Sequence, residues 1–284
     1  MKTVSDDFAV LPGRLYVVAT PIGNLGDLSP RAQKVLATAS VIAAEDTRHT
    51  AQLLQAAGIR TPLVSMHEHN EARRSAELVE RLRRGESVAV VSDAGTPLIS
   101  DPGFDLVAAA RAHSIEVIAI PGPCAAIAAL SIAGLPSDRF SFEGFLPAKK
   151  SARDSSLQKL AQESRTMIFY EAPHRLAETL SDMRQHFGAD RVAMVARELT
   201  KRYESSYFGT LSDLFERAQQ DPDMSRGEIV IVVAGFAGSA AESANLNADQ
   251  VLRALLEDLP PSQAAKIAAR LTGAKRSELY ERAM

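Results

Sequence analysis

The sequence predicts an α/β protein: two α/β domains and a small helical tail. Three observations carry that expectation. From Arg14 to about Ala133, short apolar runs alternate with amphipathic segments, the pattern of a mostly parallel sheet covered on both faces. Beyond it, strand-like runs follow one another more often, which fits a mixed sheet. From Asp249 to Met284 only helical periodicity remains. The implied units are residues 12–123, 124–236, a linker at 237–248 and a basic helical tail at 249–284.

In the first unit, "RLYVVAT" (14–20) reads as a strand and "SPRAQKVLATA" (29–39) as a helix. Ser29 is the N-cap there and Pro30 opens the first turn, where its missing N–H is harmless. "VIAA" (41–44) is a second strand, followed by a helix near 48–57 that stops at Gly58. "PLVSM" is a third strand. Asn70 is placed to cap "EARRSAELVERLRR", and Gly85 closes that helix. "SVAVV" and "IEVIAI" are further strands, the helix between them capped by Asp101 and started by Pro102. Ligands of such sheets bind beyond the carboxyl ends of the strands. The polar, Gly/Pro-rich segments "TPIGNLGD", "EDTRHT", "HEHNE", "SDAGTPLISDPG" and "PGPCA" all fall there.

In the second unit, "RFSFEGF", "TMIFYEA", "RVAMVAREL", "YESSYFGTL" and "GEIVIVVAGF" are strands, with helices near 151–163, 173–187 and 211–219. The tail reads as "QVLRALLEDL", "SQAAKIAARLTG" and "KRSELYERA". Its last two helices, joined at Gly273, are similar to a helix-turn-helix. From Pro260 onward five basic residues face two acids, although the whole chain has a net charge of −3. A solvated amphipathic cap on the core is the alternative reading of that stretch.

Bulk composition narrows the classes. With 46% hydrophobic and 24% charged residues, the chain is an ordinary globular one. The start "MKTVSDDFAV" has acids where a signal peptide would be basic, then apolar. A long uncharged stretch, Val117 to Pro136, is broken by Pro121-Gly122-Pro123, which argues against a membrane span. A single cysteine, Cys124, excludes an internal disulfide and a cysteine-based zinc cage and suits a cytoplasmic location. No Gly-Lys pair exists, which excludes a P-loop, and "PIGNLGDLS" lacks dinucleotide-fold spacing.

Several clusters are candidates for chemistry. Asp93 follows a strand and has no helix of its own to cap, so it is placed for a ligand hydroxyl or ammonium group. Ala94 and Gly95 leave room for a flat ligand against bare backbone, and Pro97 stiffens the segment after it. "EDTRHT" carries Glu45, Asp46, Arg48 and His49. These read equally well as a helix start, with Asp46 or Thr47 as cap. His67 and His69 have a metal-compatible spacing but no clear third ligand, so no metal is expected. Glu171 ends a strand as a possible base or orienting group, and Arg197, Lys201 and Arg202 are placed for a phosphate backbone or for surface ion pairs. Lys149, Lys150 and Arg153 open a helix, where cations oppose the dipole, a mild sign of an external anion.

Taken in order, "LYVVATPIGNLGDLSPRA", "AAEDTRHT", "HEHNE", "SDAGTPLISDPG", "PGPCAAIAAL", "GLPSDRFSFEGFLP", "FYEAPHRL", "RELTK" and "RGEIVIVV" resemble the family of ribosomal RNA small subunit methyltransferase I. Those enzymes stand within the tetrapyrrole-methylase-like (class III) group of S-adenosylmethionine (SAM) methyltransferases. The resemblance runs from about Leu15 to Val233, with a similar basic tail.

The resemblance implies two α/β domains with SAM in the cleft between them and no metal. It implies a homodimer and 2′-O-methylation of a cytidine ribose in the decoding region of 16S rRNA, within the small ribosomal subunit. The partner would be RNA, with neither DNA nor a membrane involved. By that implication Asp93, Ala94, Gly95, Thr96 and Pro97 contact SAM. Pro121, Gly122, Cys124 and Ala125 form the facing loop, and Pro21, Gly23 and Tyr170 complete the site. Glu171, Arg197 and Lys201 are the candidate catalytic residues, with Glu45 and Asp46 as rivals. Lys149, Lys150, Arg153 and Arg202, then Lys266, Arg270, Lys275 and Arg276 in the tail, are the candidate RNA contacts. Two departures stand out: Cys124 where the family more often has serine, and Phe208 where a basic residue is common. A same-fold methylase of a small tetrapyrrole-like acceptor, or a non-catalytic module binding SAM or the ribosome, are the alternatives.

Overall fold

A computed structural model of the chain describes residues 9–238 and 248–284. Most of the expected linker lies outside them. The first sheet consists of β1 (Leu15–Val18), β2 (Val41–Ala44), β3 (Leu63–Ser65), β4 (Val88–Val91) and β5 (Val117–Ile120). It is parallel throughout, in the order β3-β2-β4-β1-β5. β2 and β4 are buried at every position because helices cover both faces, hence their unbroken Val/Ile/Ala runs. Those helices are α1 (Pro30–Thr38), α2 (Thr47–Ala56), α3 (Glu71–Arg83) and α4 (Phe104–Ala112).

The caps of the first two helices are those expected from sequence. The Ser29 side chain accepts the Ala32 N–H, and Asp46 accepts the Arg48 N–H. α3 is different. Asn70 holds the N-cap position, but its Oδ1 accepts the His67 N–H and caps nothing. α4 overturns the reading of Asp101. Gly103, at φ +128°, is the N-cap residue, and the Glu71 carboxylate accepts the N–H groups of Gly103 (2.8 Å) and Asp105 (2.9 Å). An acid from α3 thus does from across the chain what Asp101 was expected to do locally. The loop before α4 holds Leu98 and Ser100 at φ 72° and 69°, unusual for residues with a Cβ, and Asp101 faces a cavity instead.

The second sheet joins β6 (Phe140–Phe145), β7 (Thr166–Glu171), β8 (Val192–Arg197), β9 (Ser205–Thr210) and β10 (Ile229–Val233), ordered β6-β7-β10-β8-β9. β6 and β7 run parallel and the other pairs antiparallel, the mixed sheet that the sequence suggested. The central β10 is buried along its whole length. One face is covered by α6 (Lys150–Leu160), α7 (Leu176–Phe187, entered through a 3₁₀ turn at Pro173–Arg175) and α8 (Leu211–Gln220). α8 begins with a reciprocal Thr210–Asp213 capping box, worth about 1 kcal/mol. The other face is covered by α5 (Ala125–Ile132), whose Ala126, Ala129 and Leu130 pack with Ile168, Met194 and Val232. Ile22, from the loop after β1, joins that same cluster and ties the two sheets together.

The tail forms α9 (Ala248–Leu256), α10 (Pro261–Thr272) and α11 (Arg276–Ala283). Leu252, Ala264, Ala265, Ala268 and Leu279 make a core of their own. Gly273, left-handed at φ +72°, turns α10 into α11.

Candidate active site

A cavity of about 460 Å³ opens between the two sheets, within the size range of small-molecule sites. Its walls come from the carboxyl ends of β2, β4 and β5 in one sheet. In the other they come from the ends of β6 and β7 and the start of the antiparallel β10. The segment after β4 is the hub. Thr20 and Gly95 exchange two backbone hydrogen bonds (2.8 and 3.1 Å), stapling the loop after β1 to it. The Asp93 carboxylate accepts the Asp46 N–H at 3.0 Å, which fastens the loop after β2. Thr96 Oγ1 donates to the Pro123 carbonyl at 2.9 Å, fixing the loop after β5. Across the cleft, the Tyr170 hydroxyl accepts the Ala126 N–H at 3.2 Å. Five backbone segments far apart in sequence are thereby held in one arrangement.

Asp93 therefore has a structural partner that the sequence did not reveal, while still lining the cavity. Gly95 is needed where it stands: its φ is +82°, and an added Cβ would lie 3.2 Å from Ile22 Cγ2. Bare backbone at Ala94–Gly95 is what a flat ligand requires of that wall.

Carboxylates are concentrated here: Glu45, Asp93, Asp101, Glu171 and Glu228 all line the cavity. Burial raises the Glu45 carboxyl above its ordinary value, and the neighbouring Asp93 charge adds to that. Burial likewise pushes Asp101 up to about 6, with Glu45 and Asp93 contributing and the Ser92 hydroxyl working the other way. Burial also raises Tyr170, so its phenol stays neutral at physiological pH. Phe145, 56% exposed, packs edge-on against Tyr170 at 5.6 Å and leaves an open aromatic face at the cavity mouth.

The expected donor-site residues divide. Asp93, Ala94, Gly95, Thr96, Cys124, Ala125 and Tyr170 line the cavity. Pro21, Gly23, Pro97, Pro121 and Gly122 do not. Gly122 is there for close approach, since a Cβ on it would come within 2.9 Å of Ala19 Cβ.

Of the expected catalytic trio, one residue borders the cavity. Glu171 borders the cavity, but its carboxylate is turned into the protein: Thr179 Oγ1 donates to one oxygen, and the other accepts the Ala172 N–H with Arg175 beside it. Arg197 does not line the cavity. Its guanidinium donates to the carbonyls of Arg226 and Tyr203, bracing the β8–β9 connection. Lys201 is bound by Glu198 (2.9 Å) and Glu228 (3.0 Å). Burial works against its charge, yet those two acids raise it above the usual lysine value.

Among the expected anion contacts, Arg153 is the clearest error. It is fully buried, donating to Asp182 at 2.7 Å and to the Ala148 carbonyl at 3.1 Å, with Glu178 on its remaining nitrogen. A cation at a helix start suggests an outward role; here it satisfies an acid on the neighbouring α7. Lys150 shares Asp182 at 2.7 Å. Lys149, Arg202, Lys266, Arg270, Lys275 and Arg276 are exposed.

The model of the Tetrapyrrole (Corrin/Porphyrin) Methylases matches residues 14–214, both sheets up to α8, and that of the RsmI C-terminal HTH domain matches 241–284. The Ribosomal RNA small subunit methyltransferase I of Xylella fastidiosa (strain Temecula1) is 57% identical over 270 residues, covering 95% of this chain and 98% of that protein. This chain belongs to the tetrapyrrole methylase family. Within the family its likeness is to the ribosomal RNA enzymes: the protein of the same name from Pseudomonas aeruginosa PAO1 is 54% identical over 96% of this chain and 97% of its own. The methylase also shares its fold with uroporphyrin-III C-methyl transferase from Thermus thermophilus, solved in complex with S-adenyl homocysteine. The TM-score there is 0.54 at 16% identity, covering 78% of this chain and 97% of that one.

One cavity residue of this methylase is invisible to sequence reasoning. Asp101 carries no signal distinct from that of a helix cap, because Asp-Pro-Gly before an apolar run is what a helix start looks like.

Proposed function

We propose that this methylase transfers the methyl group of SAM to a cytidine ribose 2′-oxygen of 16S rRNA in the small ribosomal subunit. The observation that carries the reading is the likeness, over nearly the whole chain and the tail, to relatives named for small-subunit ribosomal RNA methylation. The cavity fits the donor. Its backbone wall at Ala94–Gly95 suits a flat purine, and the carboxylates Glu45, Asp93 and Asp101 suit a molecule carrying a sulfonium and an ammonium group.

SAM supplies an electrophilic methyl group on a sulfur that leaves neutral. The protein's contribution is alignment, because in-line displacement needs donor carbon and acceptor oxygen held on one axis. The staples between the strand-end loops fix the donor wall, and the mouth near Phe145 and Tyr170 is where an acceptor enters. An exposed aromatic face there offers a stacking platform for an unpaired base. Affinity for the larger RNA comes from exposed Lys149 and Arg202 and from Lys266, Arg270, Lys275 and Arg276 in the tail. A free tetrapyrrole would have no use for the tail, which is why RNA is favoured over a small acceptor. The working unit is a homodimer, for which exposed Ile127 and Ile132 on α5 offer apolar surface. It acts in the cytoplasm; no helix among the described residues is long and apolar enough to cross a membrane.

The test is incubation with methyl-labelled SAM and small subunits that lack the modification. Label is expected at one cytidine 2′-oxygen. Tight SAM binding without label in RNA would sink the reading, and turnover on a free precursor would favour the small-acceptor alternative.

A further inference from the structure

The connection between β8 and β9, residues 198–204, is held more tightly than an exposed turn requires. Glu198 donates its N–H to the Glu228 carbonyl, and its carboxylate accepts the Glu228 N–H, both at 2.9 Å. Lys201 pairs with both acids, and its stem crosses to the first unit, where a Cβ on Gly23 would collide with Lys201 Cγ. Arg197 donates to the Tyr203 carbonyl at 2.9 Å, and the Glu204 carboxylate accepts the Thr200 N–H. Glu198 and Thr200 keep φ values of 52° and 66°, which residues with a Cβ seldom adopt. Strain of this kind persists only where the surroundings enforce it, and it gathers at functional sites.

This rigid connection presents an aromatic ring and a cation to solvent. Tyr203 is 64% exposed, and the Arg202 guanidinium lies 5.5 Å from its ring centroid. A planar face beside a positive charge matches the two parts of an unpaired nucleotide, its base and its phosphate. The neighbouring acids are engaged within the connection: Glu198 and Glu228 meet Lys201, and Glu204 meets the Thr200 N–H.

The second sheet sets where the ring stands. Phe145 ends β6, Glu171 ends β7, Glu228 precedes β10 and Glu198 follows β8, all on one edge of that sheet. In the order β6-β7-β10-β8-β9, the cavity opens over the ends of β6, β7 and β10. Phe145 therefore stands on one flank of the cavity and the β8–β9 connection on the other. Three to four strand spacings of about 4.8 Å put them roughly 14–19 Å apart. An RNA strand laid along this edge passes over the cavity between two exposed rings.

We infer that Tyr203 is a second base-stacking platform of the RNA site, with Arg202 on the adjoining phosphate. The inference rests on the ribose-methylation reading. Phe145 and Tyr203 hold unpaired bases on either side of the target cytidine, which is drawn out of its stack and over the donor. The target ribose is then placed by where its neighbours are held, so the connection that bears Tyr203 has to be rigid.

The experiment compares wild type with Tyr203→Ala, Tyr203→Phe and Arg202→Gln on small subunits lacking the modification. It reads kcat and KM, donor Kd by calorimetry, and molecular mass by sedimentation. Tyr203→Ala should raise the KM for subunits by about 5- to 150-fold, with the donor Kd within about twofold of wild type. Tyr203→Phe should stay within about threefold of wild type, because the ring and not the hydroxyl stacks. Arg202→Gln should weaken subunit binding and reduce the slope of log affinity against log salt by about 0.7–0.9. A Tyr203→Ala protein that labels RNA with a KM within about threefold of wild type overturns the inference and leaves the methylation reading standing. A Phe variant as weak as the Ala variant overturns it too, since the hydroxyl would then be the contact. So does a Tyr203→Ala loss that appears in donor Kd, or one accompanied by a fall in mass, which would give Tyr203 to the donor or to a second copy of the chain. If wild type binds SAM and labels no RNA, the methylation reading itself fails and this role falls with it.

Discussion

Replacing Arg153 by alanine separates a buried structural cation from an RNA contact. The side chain is fully buried, and its main partner, Asp182, is 5% exposed at 2.7 Å. Removing one member of a buried pair typically costs about 3–5 kcal/mol, because the other charge is left uncompensated. Two features place this site at the low end. The Glu178 contact adds little, since that carboxylate is 55% exposed, and Lys150 still reaches Asp182 at 2.7 Å. A loss of about 3 kcal/mol remains, or about 6–12 °C in Tm if 1 kcal/mol corresponds to about 2–4 °C in a chain of this size. Thermal unfolding by circular dichroism reads it directly. The double variant Arg153→Met with Asp182→Leu should recover most of the loss, because neither charge is then stranded. Binding of small subunits by the single variant, measured well below its Tm, should match wild type. An Arg153→Ala protein that melts within about 2 °C of wild type but binds RNA poorly would refute the reasoning.

Asp101→Asn should stabilise the free protein. The folded state binds this proton more tightly than the unfolded one, so stability falls as pH rises from 3.8 through about 6. Discounted for partial exposure, the variant should gain about 1 kcal/mol at pH 7.5 and nothing at pH 4, seen as a pH-dependent Tm difference. Gly95→Ala should cost about 1–2 kcal/mol, because φ there is +82°, and should weaken SAM by about tenfold or more in calorimetry as the new methyl crowds Ile22. Phe145→Ala should raise the KM for RNA by about 5- to 150-fold with donor affinity unchanged, the stacking of one base being worth about 1–3 kcal/mol. Deleting residues 248–284 should weaken subunit binding and flatten its salt dependence, leaving donor affinity within about twofold of wild type. Equal loss of both would make the tail a structural cap.

What the sequence by itself determined was local or periodic. Strand runs such as Val88–Val91 and Ile229–Val233 were legible because burial on both faces leaves no polar position, and Ser29 and Asp46 as caps because the cap bond spans two or three residues. The "SDAGTP" loop stood out because its residues had no local duty, and it does line the cavity. Tertiary structure decided every question whose answer depended on a distant partner. Glu71, from α3, caps α4 and so frees Asp101 to face the cleft. Asp182, from α7, draws Arg153 inside. Thr179 and Arg175 hold the Glu171 carboxylate, and the carbonyls of Arg226 and Tyr203 hold the Arg197 guanidinium. A charged side chain is stabilised by whichever complementary group lies within about 3 Å. Which group that is depends on how the chain folds, so a charge's identity could be read from the sequence and its employment could not.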